Sequence, residues 1–126
     1  MKKKYFFIIG LVALFIIIFL IFRANEDNWI KDSRGVWIKH GNPIETPDAI
    51  LEQQEIINCS LGKFNNFSEE INSQCLGACG DYAVDIINVP RTEEDNLIEN
   101  QCADYNNGTI SHFIELNKKG EIVRII

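Results

Sequence analysis

The sequence predicts an α+β protein. It would have an N-terminal transmembrane helix, then a small antiparallel sheet with one main helix packed on it, stapled by disulfides. Three observations predict this: an uncharged apolar run at 5–22, a helix-start signal with helical periodicity at 47–64, and strand patterns that dominate residues 82–126. The chain after the apolar run is long enough for one small domain.

The apolar run, Tyr5–Phe22, contains no charge and no proline. As a helix rising ~1.5 Å per residue it would span about 27 Å, close to the hydrocarbon thickness of a bilayer. Lipid cannot form hydrogen bonds with main-chain amides and carbonyls. Within a bilayer this segment must therefore be a helix, which forms all of these hydrogen bonds internally. The lipid bilayer is therefore the first predicted partner.

The flanks of the run predict its orientation. Lysines occupy positions 2–4, whereas Arg23 and then two acidic residues, 26–27, follow the run. The positive-inside rule places the N-terminus in the cytoplasm and the C-terminal domain outside. A cleaved signal peptide is the alternative, but its apolar core is shorter and its cleavage site needs small residues, where this chain has bulky Phe22. We therefore expect an uncleaved signal-anchor in the cell membrane.

This topology divides the chain and sets the charge of its exported part. Without the three N-terminal lysines, 9 basic and 18 acidic residues remain, a net charge of −9. A domain this acidic repels phosphates, so no nucleic-acid partner is expected. The predicted segments are a cytoplasmic tail at 1–4, the transmembrane helix at 5–22, a juxtamembrane linker at 23–34 and an extracytoplasmic α+β domain at 35–126.

Four cysteines, Cys59, Cys75, Cys79 and Cys102, lie in the part predicted to be outside. An even number in a small exported domain indicates two disulfides. A Cys75–Cys79 bridge would restrict the unfolded chain least, so we expect Cys59 and Cys102 each to pair with one central cysteine, in either combination. Zinc binding is the alternative, but the spacing is not Cys-x2-Cys and no histidine is near in sequence. We predict no metal and no cofactor.

The main helix is predicted over residues 47–64. Thr46 is a candidate hydroxyl N-cap, and Pro47 suits the first helical position. Apolar residues then recur at helical spacing, which predicts an amphipathic helix facing a core. They are Ile50, Ile57, Leu61 and Phe64.

Strand patterns follow in the second half. Residues 82–89 alternate, with Tyr82, Val84 and Ile86 on one face; 110–116 and 121–126 flank a hairpin turn at 117–120. Other segments are less defined: a short first strand at 36–38, a helix or strand within 68–76, a turn at 77–80, and a loop or helical turn at 91–100.

The candidate binding residues lie in two exposed segments. The acidic stretch from Arg91 ends at Cys102, and a long loop fixed by a disulfide is typical of a binding loop. The turn around 37–43 is the second. Together they predict an extracytoplasmic binding or structural module for a protein or ligand partner, with these residues: Arg91, Glu93, Glu94, Asp95, Trp37 and His40.

An exported hydrolase-like enzyme is the alternative function, with His112 or Asp85 in a pocket. His112 shares a face with aliphatic residues, typical of a core or edge histidine satisfied by a hydrogen bond. Asp85 is either an edge-strand charge or a buried acid paired with Arg91 or Arg124. The chain has no Cys-x-x-Cys and no nucleophile, phosphate-loop or metalloprotease motif, so we predict no catalytic residue and favour a non-enzyme.

Two resemblances add expectations. The runs SQCLGACGDYAVDIINVPRTEEDN, ENQCADY, SHFIELN and GEIVRI resemble uncharacterised small membrane-anchored archaeal proteins that share a Cys-x3-Cys-Gly-Asp-Tyr run, which implies no known activity. The general layout is also similar to type IV pilins, which implies a filament subunit. However, Phe15 stands where the pilin processing motif, aligned at Gly10-Leu11, has glutamate.

Overall fold

The computed structural model describes residues 2–24, 27–67 and 74–126. The chain forms two compact units. One comprises residues 1–30 with 38–45, and the other comprises 31–37 with 46–126. The second unit carries a sheet, the main helix and two disulfides, so the predicted α+β class is confirmed.

The first unit contains the N-terminal helix α1, Lys2–Ala24. Its 20-residue stretch Lys4–Arg23 is long and apolar enough to cross a membrane, and its large apolar side chains are exposed. Strand β1, Asn28–Lys31, pairs with β2, Trp37–His40, in a two-stranded sheet. Strand β2 matches the predicted short strand, whereas β1 lies where the sequence predicted only a linker.

The main helix of the second unit, α2, spans Asp48–Asn65. It begins one residue later than predicted: Pro47 is the N-cap, and no side chain caps the helix, so the expected hydroxyl cap from Thr46 is wrong. Its buried residues are Ile50, Gln53, Ile56 and Ser60. Leu61, which was predicted to face the core, is only half-buried. The polar residues Gln53 and Ser60 are buried on this helix instead.

Both buried polar side chains form hydrogen bonds with main-chain groups. Gln53 donates to the Gly35 carbonyl (2.9 Å) and accepts the Trp37 amide (2.8 Å). Ser60 Oγ donates to the Ile56 carbonyl one turn earlier (2.7 Å). Buried polar groups with partners avoid the desolvation penalty that an unpaired group would carry.

The second unit has a four-stranded sheet, in the order β3-β4-β5-β6. The outer pairs are antiparallel and the central pair, β4 with β5, is parallel. Strands β4 to β6 were predicted. Strand β3 begins within the segment predicted as a helix or strand, of which residues 68–73 lie outside the described residues, and it continues where a turn was expected. The strands are β3 (Cys75–Cys79), β4 (Tyr82–Ile87), β5 (His112–Asn117) and β6 (Ile122–Ile125).

Parallel strands need a crossover, and residues 88–111 provide it; we call them the crossover segment. It contains two 3-10 turns, Glu94–Asn96 and Ile98–Asn100, and a short helix α3, Ala103–Asn106. The prediction of a loop or helical turn after Arg91 is confirmed.

The sheet is covered on both faces. Helix α2 packs on one face, where the core consists of Ile56, Cys79, Val84, Ile114, Leu116 and Ile125. The crossover segment covers part of the other face, with a smaller cluster of Ala83, Cys102 and Ile110, joined by Tyr105 and Phe113. The predicted alternation of β4 is confirmed, since Val84 and Ala83 lie in different clusters.

The two disulfides are Cys59–Cys79 and Cys75–Cys102. The first ties α2 to β3, and the second ties β3 to the crossover segment just before α3. Each central cysteine thus pairs with one outer cysteine, as expected. The sequence did not discriminate between the two possible pairings.

Candidate functional site

A polar cavity of about 170 Å³ lies between the sheet and the crossover segment. The sheet contributes residues from β4, β5 and β6, and the crossover segment contributes the opposite wall. The lining residues that carry charge are Asp85, Arg91, Asp95, Glu115 and Arg124. Three carboxylates therefore meet two guanidinium groups.

The sheet side of the cavity is a row across neighbouring strands. Asp85 on β4 is the register partner of Glu115 on β5, which is in turn the partner of Arg124 on β6. Asp85 is also the partner of Cys75 on β3. Adjacent strands lie about 4.8 Å apart, so these side chains are immediate neighbours on the face away from α2.

Glu115 is held by both arginines. Arg91 Nη1 donates to Glu115 Oε1 at 2.7 Å, and Arg124 donates to Glu115 through Nε (3.1 Å) and Nη2 (3.3 Å). Glu115 is only 4% exposed, and a buried carboxylate needs such compensation. The expectation that Arg91 or Arg124 pairs with Asp85 is therefore corrected: both ion pairs go to Glu115.

Asp85 is a partly buried acid without an ion pair in the described part of the chain. Burial and then repulsion by Glu115 raise its pKa to about 6, while the Cys102 main-chain amide and Arg91 offset part of the rise. Strand β4 is interior to the sheet, so the interpretation of Asp85 as an edge-strand charge is wrong.

Asp85 also contacts a disulfide. Its Oδ1 lies 3.0 Å from Cys102 Sγ. A disulfide sulfur carries no hydrogen, so any hydrogen in this contact belongs to the neutral carboxylic acid. The raised pKa means that Asp85 keeps its proton to a higher pH than an ordinary aspartate does.

Asp95 is ionised and organises the crossover segment. It is 1% exposed and accepts hydrogen bonds from the Thr92 amide (2.6 Å), the Asn88 amide (3.0 Å) and Gln74 Nε2 (2.6 Å). Burial raises the pKa of Asp95, but these hydrogen bonds outweigh it and lower the pKa to about 2. The Asp95 carboxylate therefore holds the crossover segment in the conformation that forms one wall of the cavity.

The predicted binding residues separate in the structure. Arg91 and Asp95 line the cavity. Glu93 and Glu94 are exposed on the same segment and are not among the lining residues. Trp37 does not line the cavity, and its main-chain amide bonds to Gln53. His40 is exposed in the first unit.

His112 lies outside the cavity. It is exposed at the start of β5, and its ring stacks on Tyr82 with 5.0 Å between centroids. Its Nδ1 lies 2.9 Å from Asp81 Oδ2 and 3.0 Å from Ser111 Oγ. A catalytic triad needs the acid and the serine on different ring nitrogens, and here both meet Nδ1. The enzyme hypothesis placed His112 or Asp85 in a pocket: Asp85 lines the cavity, whereas His112 is not among its lining residues.

The cysteines beside Asp85 bear on the zinc alternative. The ligand atoms of Cys75, Asp85 and Cys102 lie within 4.8 Å of one another. Both sulfurs are bonded to each other, so neither provides the thiolate that zinc requires. In this oxidised state the cluster offers a metal only the Asp85 carboxylate.

Sequence reasoning missed several members of the site. Glu115 was placed correctly on the face with Phe113, but its role as the acid between two arginines was not predicted. The sequence did contain one indication of the site. Asp85 and Glu115 are acids at positions that share a face with apolar residues in their predicted strands. Gln74 and Tyr105 gave no comparable signal.

No family model, curated protein or solved structure matches this chain. The resemblances to small archaeal proteins and to pilins therefore remain predictions. The function must be inferred from the cavity and the chain's own topology.

Proposed function

We propose that this protein is a single-pass membrane protein whose domain outside the cytoplasm binds a small cationic ligand in the cavity under the crossover segment. Helix α1 would anchor it with the N-terminus inside. The proposal favours a binding module over an enzyme or a filament subunit.

The cavity carries this proposal through one observation: Asp85 lines it without an ion pair in the described part of the chain. An ionised carboxylate there is disfavoured by burial and by Glu115, whereas both arginines are engaged with Glu115. A cation entering the cavity would offset both unfavourable effects. The ligand would pair with the ionised form of Asp85, so protonation of Asp85 below about pH 6 should compete with binding.

The size and chemistry of the cavity narrow the ligand class. A volume of 170 Å³ equals that of about six water molecules, well below a drug-sized pocket. Amide side chains from Asn100 and Gln101 add hydrogen-bonding groups at the rim. A small primary amine with one or two further polar atoms fits these limits.

The binding test uses the full chain in lipid nanodiscs and thermal-shift and calorimetric titration. The probes are ethylamine, ethanolamine and 1,4-diaminobutane, with ethanol and acetate as neutral and anionic controls. We expect at least one amine to bind at pH 7.5, and more weakly below pH 6, where Asp85 holds its proton. Asp85→Asn should abolish the binding, and Asp81→Asn, an exposed acid outside the cavity, should keep it. Equal binding by Asp85→Asn, or none by any amine, would overturn the proposal.

The proposed orientation rests on the lysines at 2–4 and on the two disulfides, which form in oxidising compartments. Labelling of intact cells with a membrane-impermeant maleimide tests it. We expect no labelling without reductant and labelling after reduction. Labelling that appears only in opened cells would place the domain in the cytoplasm.

A further inference from the structure

We propose that Cys75–Cys102 is an exchangeable disulfide that accepts electrons from external thiols, with Asp85 as the proton donor to Cys102. The contact between Asp85 and Cys102 distinguishes it from Cys59–Cys79, whose exposed Cys59 lines the same surface depression as Cys75. This activity does not depend on the proposed amine ligand. The site is assembled from cysteines that are 27 residues apart, so it carries no Cys-x-x-Cys motif.

The two sulfurs of this disulfide differ in access. Cys102 is 3% exposed and lies within the cluster under the crossover segment. Cys75 is half-buried and lines an open depression beside the end of α2. A thiolate must attack along the S–S axis with access to one sulfur. The structure therefore favours attack at Cys75, with Cys102 as the leaving group.

The surroundings of Cys75 favour an anionic sulfur. The Gly77 amide donates to Cys75 Sγ at 3.3 Å. Lys63 lines the same depression, and its ammonium lies near Gly77. A positive charge attracts an incoming thiolate and stabilises a Cys75 thiolate after release.

The surroundings of Cys102 favour a protonated sulfur. Asp85 Oδ1 is in contact with Cys102 Sγ, and the acid is partly shielded from water. The groups that face Asp85 around the cavity set its proton affinity: Glu115 on β5, Arg124 on β6, and Arg91, Asp95 and Tyr105 from the crossover segment. Both arginines form ion pairs with Glu115 and not with Asp85. The Asp85 carboxyl group can therefore be protonated while it contacts Cys102 Sγ.

The Cys75–Cys102 disulfide would be reduced by two external thiolates in turn. A thiolate RS⁻ attacks Cys75 Sγ and forms an R–S–S–Cys75 bond, while the Cys75–Cys102 bond breaks with its electron pair on Cys102 Sγ. The Asp85 carboxylic acid gives its proton to that thiolate. A second thiolate RS⁻ attacks the R sulfur, releasing RSSR and the Cys75 thiolate. The protein disulfide gains two electrons, and two external thiols are oxidised to one disulfide.

The test follows reduction by dithiothreitol in the full chain in nanodiscs between pH 5 and 8. Samples are quenched by alkylation and digested with trypsin. Cleavage at Lys39, Lys63, Arg91 and Lys118 puts Cys59 and Cys102 in separate peptides, so each reports one disulfide. Rates are divided by the dithiothreitol thiolate fraction.

We expect the normalised rate at Cys102 to rise about tenfold or more as pH falls through about 6, because general-acid catalysis contributes at least that much. The rate at Cys59 should show no such step. Asp85→Asn should remove the step at Cys102, while Asp81→Asn should keep it. Glu115→Gln should keep the step but move its midpoint to lower pH, since it removes a repulsion and frees two arginines.

Three results would overturn the proposal. One is the same pH profile at Cys102 in wild type and Asp85→Asn. Another is reduction of Cys59–Cys79 throughout the pH range while Cys75–Cys102 stays oxidised. The third is an identical step at Cys59 and Cys102, because the sulfur that Asp85 contacts is that of Cys102. Far-UV circular dichroism of each Asp85→Asn sample reports whether the variant is folded.

Discussion

At Asp85, burial and a neighbouring acid both disfavour the charged form, whereas at Asp95 burial is opposed by hydrogen bonds. The pKa of Asp85 rises to about 6 and that of Asp95 falls to about 2. Asp95 is the more deeply buried residue. Donors around the carboxylate, and not depth alone, therefore decide which acid stays ionised.

The Asp85 shift has a consequence for stability against pH. Its folded pKa of about 6 exceeds its ordinary value of 3.8, so its contribution is fully present below 3.8 and lost as pH rises through 6. Asp85→Asn is neutral throughout. Relative to wild type, the variant should gain about 2 kcal/mol in unfolding free energy between pH 4 and 7.5, after discounting for partial exposure.

Urea unfolding in mild detergent, followed by tryptophan fluorescence with the disulfides intact, measures this difference. Glu93→Gln is the matched control, since Glu93 is exposed. A difference between Asp85→Asn and wild type that stays constant from pH 4 to 7.5 would contradict the prediction.

Part of this residue-level arrangement could be predicted from the sequence. Alternation placed Asp85 correctly on the face away from Val84, because side chains in a strand alternate. Its neighbour Glu115 could not be identified. The two are 30 positions apart and meet only through the parallel register of β4 and β5, which no local pattern specifies.

The crossover segment is the element that makes the cavity, and two attachments hold it. The Cys75–Cys102 disulfide fixes one end, and Asp95 fixes the middle by binding Asn88, Thr92 and Gln74. The second attachment joins residues of the segment to a residue just before β3. The middle of the segment is therefore held mainly by polar contacts, among which Asp95 accepts the largest number of hydrogen bonds described above.

Removing that side chain should detach the middle of the segment. Asp95→Ala leaves several buried donors without an acceptor, at a cost of about 3 kcal/mol or more in unfolding free energy. Limited proteolysis of the full chain should then cut within 91–101. Glu93→Ala, an exposed acid on the same segment, should change stability by less than about 0.5 kcal/mol. Equal protease resistance of the two variants would refute the role of Asp95.

The β5–β6 turn offers a second test at this scale. Gly120 and Gly108 both have φ of +78°, but a Cβ at Gly120 would lie 2.8 Å from the Phe64 ring, whereas at Gly108 it meets nothing. Gly108→Ala should cost about 1 kcal/mol from backbone strain. Gly120→Ala should cost about 1–3 kcal/mol more, because the end of α2 must shift. Thermal unfolding of both variants measures the difference, and equal losses would exclude the clash.

Local patterns identified α2, β4, β5 and β6, since each is long enough to show its period. The second part of strand β3 was predicted as a turn because Gly77, with φ of +102°, lies at an irregularity in the pairing with β4, and closely spaced glycines are typical of turns. Strand β1 was missed because it has four residues and mixes charge with one tryptophan. The parallel pairing of β4 with β5 was not predicted. Turn residues identify strands joined by a short hairpin, and these two strands are joined by the long crossover segment.

At the scale of the whole molecule, we predict that the orientation of α1 in the membrane decides whether the cysteines of the second unit are oxidised. If the domain is outside, its cysteines oxidise, and Cys75–Cys102 fixes the crossover segment that forms the cavity wall. If the domain is inside, the thiols stay reduced and that attachment is lost. We therefore predict that the charges beside α1 decide whether the Cys75–Cys102 disulfide forms and attaches the crossover segment.

This dependence can be tested by changing only the N-terminal charges. Replacing Lys2, Lys3 and Lys4 with glutamine removes the positive-inside signal and leaves Arg23 as the nearest cation. We expect part of the population to invert and to keep its cysteines reduced, giving up to four adducts with a polyethylene-glycol maleimide on non-reducing gels. Wild type should give none, and Arg23→Gln, which strengthens the charge difference, should also give none. A triple variant with both disulfides intact in every molecule would show that the lysines do not set the orientation.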